Sequence, residues 1–172
     1  MCEILFRGKR KDNSAWVYGY YTELPVGSLG ATIFSNDDEI VCEDTASYII
    51  KVFEKQHSNY SNGNPLLVIE CENYEVIPET VGQFTGLTDK NGKKIFEGDI
   101  IKYKNTDGIK FNGVALTVIG KVVYNEKNAS FAISGKDEIG AKHYDYFPIK
   151  NIEVIGNIHD NPELLKGGVD NG

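Results

Sequence analysis

Four glycines set the strongest limit on what this chain can fold into. Gly82, Gly86, Gly92 and Gly98 recur at spacings of four to six residues. A glycine inside a helix costs roughly 1 kcal/mol relative to alanine, so a stretch punctuated this densely will not sustain a helix of ordinary length. The residues around these glycines point the same way. Phe84, Ile95, Phe96 and the run Ile100-Ile101-Lys102-Tyr103-Lys104 are of the types that pack well on a pleated surface. Asn91-Gly92 is a two-residue turn signal, because both central positions of a type I′ turn take positive φ. The expectation is a series of short strands joined by tight turns.

The pattern continues to the end of the chain. Residues 100–104 read as a strand, 105–113 as a loop, and 115–125 as a long strand with a glycine bend at Gly120. Residues 129–134, 144–147 and 152–158 read as further strands. Pro162 is placed to begin a short helical turn with Asn161 as its cap. About five strands with short turns in this half suit a small closed barrel. Ten tyrosines and eight phenylalanines reinforce the β reading.

The first half is less uniform. Residues 4–6 and 16–21 read as two strands of a hairpin around the polar stretch 8–13. Residues 24–30 read as a loop, 31–34 as a strand and 36–38 as a turn. Residues 44–56 fit a helix capped at Asp44 or Thr45, and fit a strand as well. A polar loop is expected at 57–65, with strands at 66–69 and 74–77. The fold class is therefore mainly β, with α+β still open and at most one or two short helices. The expected organisation is an acidic β-rich region at 1–79, a barrel region at 80–166 and a disordered tail at 167–172.

Charge divides along the same line. The chain carries a net charge of −7. Residues 1–79 hold six cations and thirteen acids, whereas the remainder holds twelve lysines and twelve acids. A chain that coats DNA or an anionic membrane is ordinarily basic. The N-terminal sequence lacks a basic segment followed by a long apolar run, and no window approaches eighteen apolar residues. Three widely spaced cysteines, Cys2, Cys42 and Cys71, read as reduced thiols. A cytoplasmic protein with no membrane contact is expected.

Candidate chemistry is sparse. The glycine block lacks the G-x-x-x-x-G-K-[ST] order of a phosphate loop and the acidic frame of a calcium loop. Asp99 is expected to accept a backbone N–H at its turn. His57, His143 and His159 have no metal-ligand spacing to one another or to cysteine. A Cys71–His159 pair stays open, but Glu70 and Glu72 flank the thiol and disfavour a thiolate. No catalytic residue, metal or cofactor is expected, and the chain reads as a non-enzyme.

One basic cluster remains as a binding surface: Arg7, Lys9, Arg10 and Lys11 in a predicted turn, beside Trp16. Strand alternation puts Trp16, Tyr18 and Tyr20 on one face. Exposed, such a face could stack and neutralise nucleic acid. The reading preferred from sequence is that the aromatic face is core and the cluster a solvated turn. The expected partner is a protein of host or phage, or a second copy of this chain. Nucleic acid is the alternative, through lysines 90, 93, 94, 102, 104, 110, 121 and 127.

Three blocks carry a family resemblance. Phe6-Arg7-Gly8-Lys9 and Trp16-Val17-Tyr18-Gly19 form the first. The stretch ETVGQFTGLTDKNGKKIFEGDII, starting at Glu79, forms the second, and EVIGNIHDNPELL, starting at Glu153, the third. They resemble the YopX family of small phage- and prophage-encoded proteins. The resemblance implies an SH3-like barrel in the C-terminal half, a phage or prophage origin and a location in the host cytosol. It implies no activity, so it transfers no catalytic residue.

Overall fold

A computed structural model describes residues 4–25, 45–61, 64–111, 114–137, 139–146 and 151–166. Two compact units emerge, Leu5–Val81 and the chain from Gly82 onward. The expected strand at 31–34, the turn at 36–38, most of the loop at 24–30 and the tail at 167–172 lie outside the described residues.

The first unit is built from β1 (Phe6–Lys9), β2 (Trp16–Pro25), β3 (Thr45–Ser61) and β4 (Asn64–Glu75). Each pairs antiparallel with the next. Side chains alternate between faces along a strand, and one face of this sheet buries Val17, Ile49 and Val76. Phe6, Tyr21, Tyr74 and Val81 pack around them. The ambiguity at 44–56 resolves as strand from Thr45 onward: Tyr48, Ile49 and Ile50 pair with Thr22, Tyr21 and Tyr20 of β2. The expected loop at 57–65 is mostly strand, because β3 and β4 stay paired out to Ser61 opposite Asn64, across one irregularity after His57. For the same reason residues 66–69 and 74–75 belong to one strand. Ladder bonds satisfy backbone groups whatever the side chain, so a polar sequence can extend a hairpin already in register.

The second unit holds β5 (Gly82–Thr88), β6 (Lys94–Phe96), β7 (Asp99–Phe111), β8 (Val114–Asn125), β9 (Ser130–Asp137), β10 (Lys142–Tyr146) and β11 (Glu153–Asn157). β5 and β6 form a hairpin. The other five make one antiparallel sheet in the order β10-β9-β8-β7-β11. Its core contains Ile95, Ile101, Tyr103, Val118, Val122, Ile133, Ile152 and Val154. The loop expected at 105–113 is replaced by strand to Phe111, with a register shift between Asn105 and Lys110. β10 and β11 stand at the two ends of the sheet, so the described strands form an open sheet rather than a closed barrel. Gly120 sits opposite Gly135 in the β8–β9 ladder, where close backbone approach is its role.

The turns show a recurring device. At Asp89-Lys90-Asn91-Gly92 the carboxylate of Asp89 accepts the N–H groups of Asn91 and Lys93 at 2.8 and 2.9 Å. Gly92 N–H donates to the Asp89 carbonyl, and Gly92 has φ of 82°. Asp137 repeats this, accepting from Ile139 and Ala141 at 3.1 and 2.8 Å, with Gly140 at φ of 80°. The expected type I′ turn at Asn91-Gly92 is thus corrected: Asn91 is absent from the left-handed residues, and only the glycine takes positive φ. The aspartate supplies the bonds that close the turn.

Helix is confined, among the described residues, to 3-10 turns at Pro78–Thr80 and Pro162–Leu165. The Asn161 side chain makes no capping bond; the backbone carbonyl of Asn161 accepts the Leu164 N–H instead. No helix of the described residues is long and apolar enough to cross a membrane.

Candidate binding surface

In the β1–β2 ladder Arg7 lies opposite Tyr18 and Lys9 opposite Trp16. Directly opposed residues share a face, so Arg7, Lys9, Trp16 and Tyr18 lie together, and Tyr20 continues the row along β2. The Arg7 guanidinium sits 4.8 Å from the Trp16 ring centre, and Lys9 Nζ sits 5.5 Å from it. Both distances fall within cation–π range, worth about 0.5–2 kcal/mol each. Arg7 is buried, at 6% exposure. Tyr18 and Tyr20 are open to solvent, at 46% and 59%.

This arrangement overturns the reading that Trp16, Tyr18 and Tyr20 face the core. The inward set on β2 is the other one, with Val17 buried beside Ile49 and Val76 and Tyr21 packed against them. The register, which sequence alone leaves open, decides between the two faces.

The predicted basic cluster also divides. Arg7 and Lys9 belong to strand β1 rather than to a turn. Arg10 and Lys11 follow the strand, and each is held by an acid. Arg10 forms two hydrogen bonds to Asp12, one of them Nε to Oδ1 at 2.8 Å, and stacks 4.5 Å over Tyr74. The bond from Arg10 holds the Asp12 carboxyl below its ordinary range. Lys11 donates to Glu75, which raises the lysine above its ordinary value. Lys9 and Trp16 stay together on the β1–β2 face over the buried Arg7, and Tyr18 and Tyr20 extend that face into solvent.

The buried acids are occupied elsewhere. Asp99 accepts the Phe96 N–H at 2.8 Å, as expected of its turn. Asp89, besides closing its own turn, accepts the Val154 N–H at 3.1 Å. Asp89, Asp99 and Asp137 thus use carboxylate oxygens as acceptors for backbone amides, a structural use of buried charge. Among the described residues no group of three or more His, Cys, Asp or Glu is placed to hold a metal ion. The Cys71–His159 pairing lies outside the described side chains.

A family model described as YopX protein matches residues 5–166. A search of curated proteins finds no match. Among solved structures, the chain is similar to the crystal structure of protein EF1440 from Enterococcus faecalis. The two are 21% identical, with 96% of this chain and 99% of that chain covered and a TM-score of 0.45.

Proposed function

This chain belongs to the YopX family, and we propose that it is a phage or prophage accessory protein that acts in the bacterial host cytosol by binding another protein, without catalysing a reaction. The observation that carries this reading is the β1–β2 face. It combines a tryptophan stacked by two cations with two tyrosines about half exposed. Trp and Tyr are among the residues that dominate protein–protein hot spots, where a large rigid side chain gains contact area at low entropic cost. The non-enzymatic part rests on the buried carboxylates, whose oxygens accept backbone N–H bonds. The phage setting rests on the family. We read the second unit as an SH3-like small barrel left partly open. In support, β7, β8, β9 and β10 form a meander and β11 returns to pair with β7.

The test is co-purification of the tagged full-length chain from a bacterial host, wild type against a Tyr18→Ser/Tyr20→Ser variant. The expected result is one protein recovered reproducibly with wild type and reduced about tenfold or more with the variant, the loss of two hot-spot side chains. The thermal midpoint of the variant should stay close to wild type, because both side chains are half exposed. Equal recovery by both, or no reproducible protein, contradicts the reading.

A further inference from the structure

The register of the five-stranded sheet gathers lysines that are scattered in the sequence. Ile119 on β8 pairs with Lys102 on β7 and with Lys136 on β9, and Lys136 pairs with Lys142 on β10. Lys104, opposite Thr117, and Lys121, opposite Ser134, flank this row on the same face. All five lysines are exposed, while Ile119, Thr117 and Ser134 are half-buried between them. Neighbouring strands lie about 5 Å apart, so the row from β7 to β10 spans about 15 Å.

Carboxylates are scarce here. Among the described residues of the paired strands, the register puts one on this face: Glu153, opposite Lys102, which Lys90 engages at 2.7 Å. Lys136 and Lys142 are direct cross-strand partners. Like charges in that position destabilise a sheet, so folding alone gives no reason for the pair.

The composition selects the ligand. The centres of protein–protein interfaces are depleted in lysine and enriched in aromatic residues and arginine. Both arginines of this chain, Arg7 and Arg10, lie in the other unit. Lysine with serine and threonine hydroxyls is instead a donor set that meets phosphate oxygens. The net charge of −7 does not oppose this, because it resides in residues 1–79. We infer that the lysine face of β7, β8, β9 and β10 binds the phosphate backbone of a nucleic acid without reading its sequence. This is a second surface, independent of the aromatic face on β1 and β2.

The test is fluorescence anisotropy of the full-length protein with a labelled oligonucleotide, single-stranded and duplex, across a salt series. If all five lysines meet phosphates, log K falls against log salt with a slope of about −3.5 for the single strand or −4.5 for the duplex. Lys136→Gln/Lys142→Gln reduces that slope by about 1.4 to 1.8. Lys166→Gln, outside the sheet, leaves it unchanged. Polyglutamate of matched charge competes at least tenfold less well than the oligonucleotide. The inference is overturned by absence of binding at low salt, by an unchanged slope in the double variant, or by equal competition from polyglutamate, which would make the ligand an acidic protein segment.

Discussion

Gly135→Ala is expected to destabilise the protein by about 3 kcal/mol, the upper range for forcing atoms into a packed interior. A methyl group at position 135 would stand 2.3 Å from the carbonyl oxygen of Ile119 and 2.6 Å from the Cα of Gly120. Both are backbone atoms, so no side-chain rotation relieves the clash. The β8–β9 ladder must separate, and Val118, Val122 and Ile133 of the core move with it. A loss of that size is a large share of the stability of an ordinary domain. Gly140→Ala provides the comparison. Nothing lies within 4 Å of its added carbon, and only the positive φ of 80° penalises it, at about 1 kcal/mol. Urea midpoints of the two variants should therefore differ clearly. Equal midpoints would refute the close-approach role assigned to the Gly120–Gly135 pair.

Asp89→Ala is expected to cost about 3 kcal/mol as well, by a different route. It removes the acceptor for three backbone N–H groups, those of Asn91, Lys93 and Val154; the turn loses both carboxylate bonds that close it, and the buried Val154 N–H is left unsatisfied, which is expensive. The same residue gives a signature in pH. Burial of Asp89 opposes its ionisation, but hydrogen bonds from Val154, Lys93 and Asn91 outweigh it and lower the carboxyl below its ordinary value. A carboxyl depressed in the folded state contributes stability that is complete above the unfolded value, about 3.9. That contribution is lost as pH falls through the folded value. Wild type and Asp89→Asn should thus differ most in urea midpoint near neutral pH, and the gap should narrow below about pH 4. A gap independent of pH contradicts the account.

How far the sequence reveals this molecule depends on the range of the interaction. Local chemistry was legible. The glycines at 82, 86, 92 and 98 announce strands joined by tight turns, and the turn at Gly98 announces the backbone bond that Asp99 accepts. The turn at Asp89 was located, but its type was not. Asn-Gly suggested left-handed geometry at both residues, whereas a carboxylate closing the turn leaves only Gly92 left-handed. Residues 57–61 and 105–111 look like loops in sequence because their side chains are polar, although pairing with a partner strand holds them extended.

The binding surfaces depend on register, which is a long-range property. Alternation groups Trp16, Tyr18 and Tyr20 on one face, but it does not show that this face is the outer one. Nothing local shows that Arg7 and Lys9 lie opposite Tyr18 and Trp16. The lysine face was less visible still. Lys102, Lys104 and Lys121 stand in sequence as separate charges, and Lys136 and Lys142 join them only through the pairing of β8, β9 and β10. A sequence-level hint was available in the mixed character of β1, where cations alternate with Phe6 and Gly8.

The central claim, that the β1–β2 face receives a protein, is tested most directly by photo-crosslinking in the bacterial host. The photoreactive residue p-benzoylphenylalanine replaces Tyr20 in one chain and Lys127, on the exposed turn between β8 and β9, in another. The account predicts a single discrete protein adduct from position 20 and none of the same mass from position 127. No adduct from position 20, or the same adducts from both positions, would contradict it.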